Sequence, residues 1–114
     1  MRKFAAIVAI ATAIVSAPAN AGGMDQATLD NLCNSMSAYA GSVMKSRQAG
    51  VPIDQTIAVA RRQANASGVD MSMFMPIILE AYENPLFNTA EYKHRSVMEF
   101  KNKIMTDCYR TFGR

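Results

Sequence analysis

Apolar residues recur at intervals of three and four along most of the chain after residue 24, which is the spacing of one face of an α-helix. The first stripe of this kind contains Leu29, Leu32, Cys33, Met36, Tyr39, Ala40, Val43 and Met44. Asp25 or Thr28 is suited to cap the start of this helix, and Gly50 is placed to end it. No segment carries a convincing strand pattern.

Two shorter helices are predicted in the middle of the chain. Asp54 is a suitable N-cap for the first of them, which directs small apolar residues inward and ends at Gly68. The second begins near residues 72–75, because Pro76 lacks an N–H group and is tolerated only in the first helical turn. The dipeptide Asn84-Pro85 ends this helix.

The last segment predicts a long helix. Asn88 as N-cap and Glu91 three residues later resemble a capping box, and Phe87 and Tyr92 are placed as its hydrophobic staple. The apolar stripe of this helix contains Val97, Phe100, Ile104 and Cys108. Together the four segments predict an all-α fold, a compact bundle of about four helices.

The N-terminal segment has the parts of a secretory signal peptide. Arg2 and Lys3 precede a largely apolar block at positions 4–15, and Ala19 and Ala21 supply the small residues that a signal peptidase needs. The pattern predicts cleavage after Ala21.

A retained membrane anchor is the alternative interpretation of the same apolar block. As a helix the block would rise about 18 Å, which is short of the ~30 Å hydrocarbon core of a bilayer. We therefore expect residues 1–21 to be removed and residues 22–114 to form a single helical domain. This domain is expected in the periplasm or outside the cell, without stable insertion into a membrane.

Loss of the signal peptide changes the charge balance. The full chain has 12 Lys and Arg against 9 Asp and Glu, and removal of Arg2 and Lys3 leaves 10 against 9. The basic side chains near the C-terminus are spread along their segment, which is typical of a solvated helix face. Nucleic-acid binding is not expected.

The chain contains two cysteines, Cys33 and Cys108, near opposite ends of the predicted domain. In an oxidising compartment they have one intramolecular pairing. Both lie on apolar stripes, so a bond between them sets the first and last helices side by side and antiparallel. A metal-binding or catalytic thiol is the alternative, but the chain has no Cys-x-x-Cys motif and His94 is its one histidine. We predict a structural disulfide.

Three methionines alternate with other residues in the segment 69–76: Met71, Met73 and Met75. On an extended strand their sulfurs would lie on one side and could bind a soft ion such as Cu(I). On a helix, alternate residues lie about 200° apart, so Met73 would point away from the other two. The nearby proline favours a helix, in which methionine fills irregular gaps between elements. An adaptable binding surface is a third interpretation.

No set of residues predicts catalysis or a cofactor. His94 lies between Lys93 and Arg95, which favours a solvent-exposed histidine on a charged face. Glu80 and Glu83 are three residues apart, and an exposed acidic edge is commoner than an acid/base pair. The chain lacks a glycine-rich phosphate loop and a Ser/His/Asp set. We therefore expect a protein that is not an enzyme and uses no cofactor.

Several short motifs resemble a set of small signal-bearing proteins found in bacterial and bacteriophage genomes. In chain order these are Cys33, Arg47-Gln48-Ala49-Gly50-Val51-Pro52, Ala81-Tyr82, Pro85, Phe100 and Cys108. The resemblance implies a small helical exported protein closed by a disulfide, with a phage or prophage origin. It implies no particular activity.

The function expected from these features is the binding of a protein partner in the cell envelope. One concrete form is a phage-derived factor that inhibits a phage or cell-wall enzyme by covering its cleft. The predicted anchors are Tyr39, Met73, Phe74 and Tyr82, because aromatic residues and methionine provide large contact area, although burial in the core is the alternative for each. A small periplasmic stress chaperone and a methionine-based copper-binding protein are the rival functions. The oligomeric state is left open.

Overall fold

The computed structural model describes residues 24–113, so the predicted signal peptide lies outside the described residues. Four α-helices follow one another in this part of the chain: α1 (Gln26–Gln48), α2 (Ile53–Ser67), α3 (Met75–Tyr82) and α4 (Ala90–Phe112). A short 3-10 turn, Met71–Met73, lies between α2 and α3. Residues 24–113 contain no strand, and the predicted all-α fold is confirmed.

The two longest helices, α1 and α4, are joined by the predicted disulfide. The Cα atoms of Cys33 and Cys108 are 5.5 Å apart, and both side chains are buried. Cys33 lies in the first half of α1 and Cys108 near the end of α4, so the bond fixes the two helices in the antiparallel arrangement that their apolar stripes predict.

Buried apolar side chains from all four helices form the main core, which contains Ala40, Val43, Met44, Ala60, Ile77, Ile78, Ala81, Val97, Phe100 and Ile104. A smaller cluster, made of Leu29 and the disulfide, extends the core to the far end of α1 and α4. Helix α3 packs against α1, and α2 packs most extensively against α3. An open cleft lies between α1 and α2.

Most of the predicted helix ends are confirmed. The side chain of Asp25 accepts a hydrogen bond from the Thr28 amide at the start of α1. Gly50 follows α1 and Gly68 ends α2, both at positive φ, where glycine lacks the Cβ clash of other residues. Pro76 lies in the first turn of α3 as expected.

The predicted N-cap of α2 is wrong. Helix α2 begins at Ile53, and the carbonyl of Pro52 accepts the first helical hydrogen bonds from Gln55 and Thr56. Pro52 is already held at φ −62° in an extended conformation, which suits the residue before a helix. Asp54 therefore lies in the first turn, where its carboxylate still meets the positive end of the helix dipole.

The predicted N-cap of α4 is also wrong, by one residue. The hydroxyl of Thr89, not the side chain of Asn88, accepts the hydrogen bond from the Tyr92 amide at 3.1 Å. Glu91 consequently cannot complete a capping box and instead pairs with Arg95 one turn later. The Phe87–Tyr92 contact of the predicted staple is present, with ring centroids 6.1 Å apart.

We expect Thr89→Ala to lower the free energy of unfolding by about 1 kcal/mol, because it leaves the Tyr92 amide without its capping acceptor. Urea unfolding followed by circular dichroism measures the change. Asn88→Ala is the matched control and should alter stability by less than about 0.5 kcal/mol. A larger loss for Asn88→Ala than for Thr89→Ala would contradict this assignment of the cap.

No helix within residues 24–113 is both long and apolar enough to cross a bilayer.

Candidate partner-binding surface

The buried side chain of Gln48 connects the end of α1 to the loop between α3 and α4. Its Nε2 donates to the Pro85 carbonyl at 2.8 Å, and its Oε1 accepts from the Phe87 amide at 2.9 Å. The Gln48 carbonyl accepts from the Lys93 ammonium at 2.6 Å. The Gln48 side chain therefore satisfies the Pro85 carbonyl and the Phe87 amide, two backbone groups of a loop that has no regular secondary structure.

Arg47 and Tyr82 extend this connection toward α2. The Arg47 Nε donates to the Asn84 carbonyl at 3.0 Å, and its guanidinium lies 5.4 Å from the centroid of the Tyr82 ring. The Tyr82 hydroxyl donates to the Val51 carbonyl at 2.8 Å and lies 2.8 Å from the Thr56 hydroxyl, which therefore donates to it. We call the side chains of Arg47, Gln48 and Tyr82 with these partners the polar junction.

The polar junction brings together residues that are far apart in the sequence. Residues 47–52, Tyr82 and Pro85 are separated in sequence but meet here through hydrogen bonds. Of the predicted partner anchors, Tyr82 is therefore half-buried and its hydroxyl is engaged inside the molecule. Its role in positioning α2 against the rest of the fold follows directly from these bonds.

Tyr39 and Phe74, two other predicted anchors, contact each other. Their ring centroids are 4.6 Å apart and both side chains are half-buried. Tyr39 also lines the α1–α2 cleft, which has a volume of about 360 Å³ and uncharged walls that include Val59. Burial raises the pKa of the Tyr39 phenol above its ordinary value.

Met73 lines a second cleft, which we call the Met73 cleft. This cleft has a volume of about 280 Å³ and lies between α1, α3 and α4 beside the disulfide. Its apolar wall includes Met36, Ile77, Ile104 and Phe112. Met73 is 37% exposed, so its thioether is accessible from solvent.

The rim of the Met73 cleft carries a charged triad. The Lys103 ammonium lies 2.6 Å from Glu80 and 2.7 Å from Asp107, and Glu80 and Asp107 both line the cleft. The hydrogen bonds that the Lys103 ammonium donates to Asp107, and then to Glu80, raise the pKa of Lys103. Two carboxylates against one ammonium leave this rim with a net negative charge.

The three alternating methionines do not share one environment. Met71 packs against the main core, Met73 lines the Met73 cleft, and Met75 is half-buried at the start of α3. Residues 71–73 form a 3-10 turn, in which alternate side chains point about 120° apart, so the strand that would align three sulfurs is not formed. The described residues also contain no group of three or more His, Cys, Asp and Glu suited to a metal ion.

The remaining polar candidates lie apart from one another. His94 is exposed beside Lys93, as the sequence predicts. Glu80 pairs with Lys103, while Glu83 is exposed at the end of α3.

Two residues of the Met73 cleft, Met36 and Phe112, were not among the predicted anchors. A signal for them was present, since the disulfide sets the register between α1 and α4. With Cys33 opposite Cys108 and the helices antiparallel, Met36 and Phe112 each lie about one turn from the disulfide, on opposite sides of it, and both therefore flank the bond.

Comparison with known proteins finds no family, no curated protein and no solved structure that matches this chain.

Proposed function

We propose that this chain is an exported, non-enzymatic protein that binds a protein partner in the cell envelope, with the Met73 cleft as the docking site. One observation carries the proposal: an apolar cleft reaches the surface at an exposed methionine and is not filled by the chain's own side chains. Apolar clefts of this kind mark interaction sites more often than random surface does.

The composition of the cleft suits a binding surface. Met36 and Met73 both contribute flexible thioether side chains, which adapt to the shape of an incoming group. Of the other predicted anchors, Tyr39 lies one helical turn after Met36 and Phe74 follows Met73 in the chain, and their two rings contact each other. Tyr39 lines the α1–α2 cleft, so Met73 is the predicted anchor that lines the Met73 cleft itself.

The rim indicates the chemistry of the partner. Glu80 and Asp107 outnumber Lys103, so a segment with an apolar side chain for the cleft and a basic residue beside it is complementary. A compact domain that docks in this way would inhibit a phage or cell-wall enzyme by covering its substrate cleft.

We expect Met73→Glu to weaken binding to the partner about 30-fold, because it places a charge in the centre of an apolar contact. The oxidised protein is used to capture its partner from the envelope fraction, and the captured protein is then purified and titrated against the variants by calorimetry. Met98→Glu is the matched control, since Met98 is 43% exposed and does not line the Met73 cleft. Circular dichroism of each variant verifies that it is folded.

Equal affinity of Met73→Glu and the wild-type protein for the purified partner would refute the docking site. Inhibition is measured separately, as the rate at which the captured enzyme or a purified cell-wall hydrolase digests peptidoglycan. The proposed inhibitor form requires a slower rate with the wild-type protein and with Met98→Glu, but not with Met73→Glu.

A further inference from the structure

Three lysines lie along the seam between α1 and α4 on a face that the proposed function does not use. A cleft of about 270 Å³ between the end of α1 and the start of α4 is lined by Lys45, Gln48, Ala49, Lys93, His94 and Val97. Lys101 lies one turn beyond Val97 on α4. We call Lys45, Lys93, His94 and Lys101 the basic face.

Two of these lysines are held in place by α1. The Lys93 ammonium donates to the Gln48 carbonyl at 2.6 Å. The stem of Lys101 crosses Gly41, where a Cβ atom would come within 2.8 Å of the Lys101 Cδ. Both side chains are half-buried, so their charges are held on this face instead of moving freely in solvent.

The basic face has no acidic partner within residues 24–113. The ion pairs of this part of the chain join Arg95 to Glu91, and Lys103 to Glu80 and Asp107. No carboxylate lines the cleft between the lysines. Without residues 1–21 the chain has 10 Lys and Arg against 9 Asp and Glu. The excess of positive charge on the basic face therefore arises from the way the helices pack and not from the overall composition.

The helix dipole accounts for only part of this arrangement. Lys45 and Lys93 lie at the negative C-terminal end of α1, where cations are stabilising. Lys101 lies two turns away from that end, beside Gly41, and the dipole does not reach it.

An exposed apolar side chain accompanies the cations. Met98 is 43% exposed and lies four residues after His94 and three before Lys101, so these three side chains neighbour one another on α4. Lysines beside an exposed apolar residue on one helix face are typical of surfaces that lie on a membrane, where the cations meet phosphates and the apolar group meets the acyl boundary. An acidic peptide would pair with the cations but would offer no apolar group to contact the exposed Met98 side chain.

We propose that the basic face binds the surface of a membrane that contains anionic phospholipid, with a headgroup phosphate in the cleft between Lys45 and Lys93. The association is peripheral and electrostatic. It leaves the residues that line the Met73 cleft free for a partner. It does not depend on the proposed partner, because the two surfaces share no residue.

Vesicles provide the test. Protein recovered from the periplasm after processing is mixed with vesicles of phosphatidylcholine containing phosphatidylglycerol, or of phosphatidylcholine alone, and bound protein is measured by sedimentation. We expect binding to the anionic vesicles only, weakening as salt is raised. Each lysine near an anionic surface contributes about a fivefold change in partitioning, so Lys45→Gln with Lys101→Gln should lower it about 30-fold. Glutamine keeps a carbon at the Cδ position that lies against Gly41.

The double variant Arg61→Gln with Arg62→Gln is the matched control, since it removes the same charge from exposed positions on α2. An equal loss for the two double variants would overturn the proposed site, because binding would then follow net charge alone. Binding to poly-glutamate that requires Lys45, without binding to anionic vesicles, would also overturn it and would assign the face to an acidic protein. Binding of glycerol phosphate in a titration, without binding to anionic vesicles, would also overturn it and would show a site for free phosphate. Met73→Glu should leave vesicle binding unchanged, which separates this test from that of the proposed function.

Discussion

Removing the disulfide by Cys33→Ala together with Cys108→Ala is expected to lower the free energy of unfolding by about 4 kcal/mol. The bond joins residues 75 positions apart, so its loss releases a large loop in the unfolded chain. Both cysteines are also buried in the smaller core cluster, where alanine leaves unfilled volume. A small domain has a total stability of roughly 5–15 kcal/mol, so this variant should be close to unfolding at 37 °C.

Chemical denaturation of the oxidised protein and of the double variant measures the difference. Dithiothreitol is the control, because it should destabilise the wild-type protein and leave the double variant unchanged. A difference below about 1 kcal/mol would show that the pairing of α1 with α4 is maintained by apolar packing alone. Single cysteine variants are avoided, since each leaves a free thiol that can form intermolecular bonds.

Gln48→Ala should lower the free energy of unfolding by about 3 kcal/mol, because the Pro85 carbonyl and the Phe87 amide both lose their partner. Gln48 is only 4% exposed, so water has little access to replace these bonds. The consequence should extend to the loop before α4, which has few other hydrogen bonds to hold it.

Two measurements test this prediction. Denaturant unfolding gives the stability, and amide hydrogen exchange of Phe87 reports the specific bond, which should be protected in the wild-type protein and exchange rapidly in the variant. Gln63→Ala on the exposed face of α2 is the control and should change stability by less than about 0.5 kcal/mol. An equal loss of stability for the two substitutions would show that the Gln48 hydrogen bonds do not stabilise the fold.

The helix ends show which features of the fold can be predicted from the local sequence. Asp25, Gly68 and Pro76 occupy the places that their chemistry predicts, because each acts through its own or an adjacent backbone group. Asn88 and Thr89 are neighbouring residues with similar capping ability, so sequence alone does not decide between them. The structure selects Thr89, the position from which the hydroxyl reaches the Tyr92 amide.

The candidate sites are harder to predict from the sequence than the helix ends are. The methionine pattern drew attention to Met73, but its cleft also requires Phe112, a residue almost at the other end of the domain. The basic residues near the C-terminus look evenly dispersed in sequence, and Lys45 on α1 gathers with Lys93 and Lys101 only when the two helices pair.

The four helices and the pairing of α1 with α4 through Cys33 and Cys108 can be predicted from the chain alone, because helical periodicity is local and two cysteines have one pairing. The polar junction around Gln48, the Met73 cleft and the basic face depend on how the helices pack. Each of these joins side chains tens of residues apart, and whether such side chains meet depends on how the helices cross and rotate about their axes. That geometry results from the packing of the whole core, which no local stretch of the chain specifies.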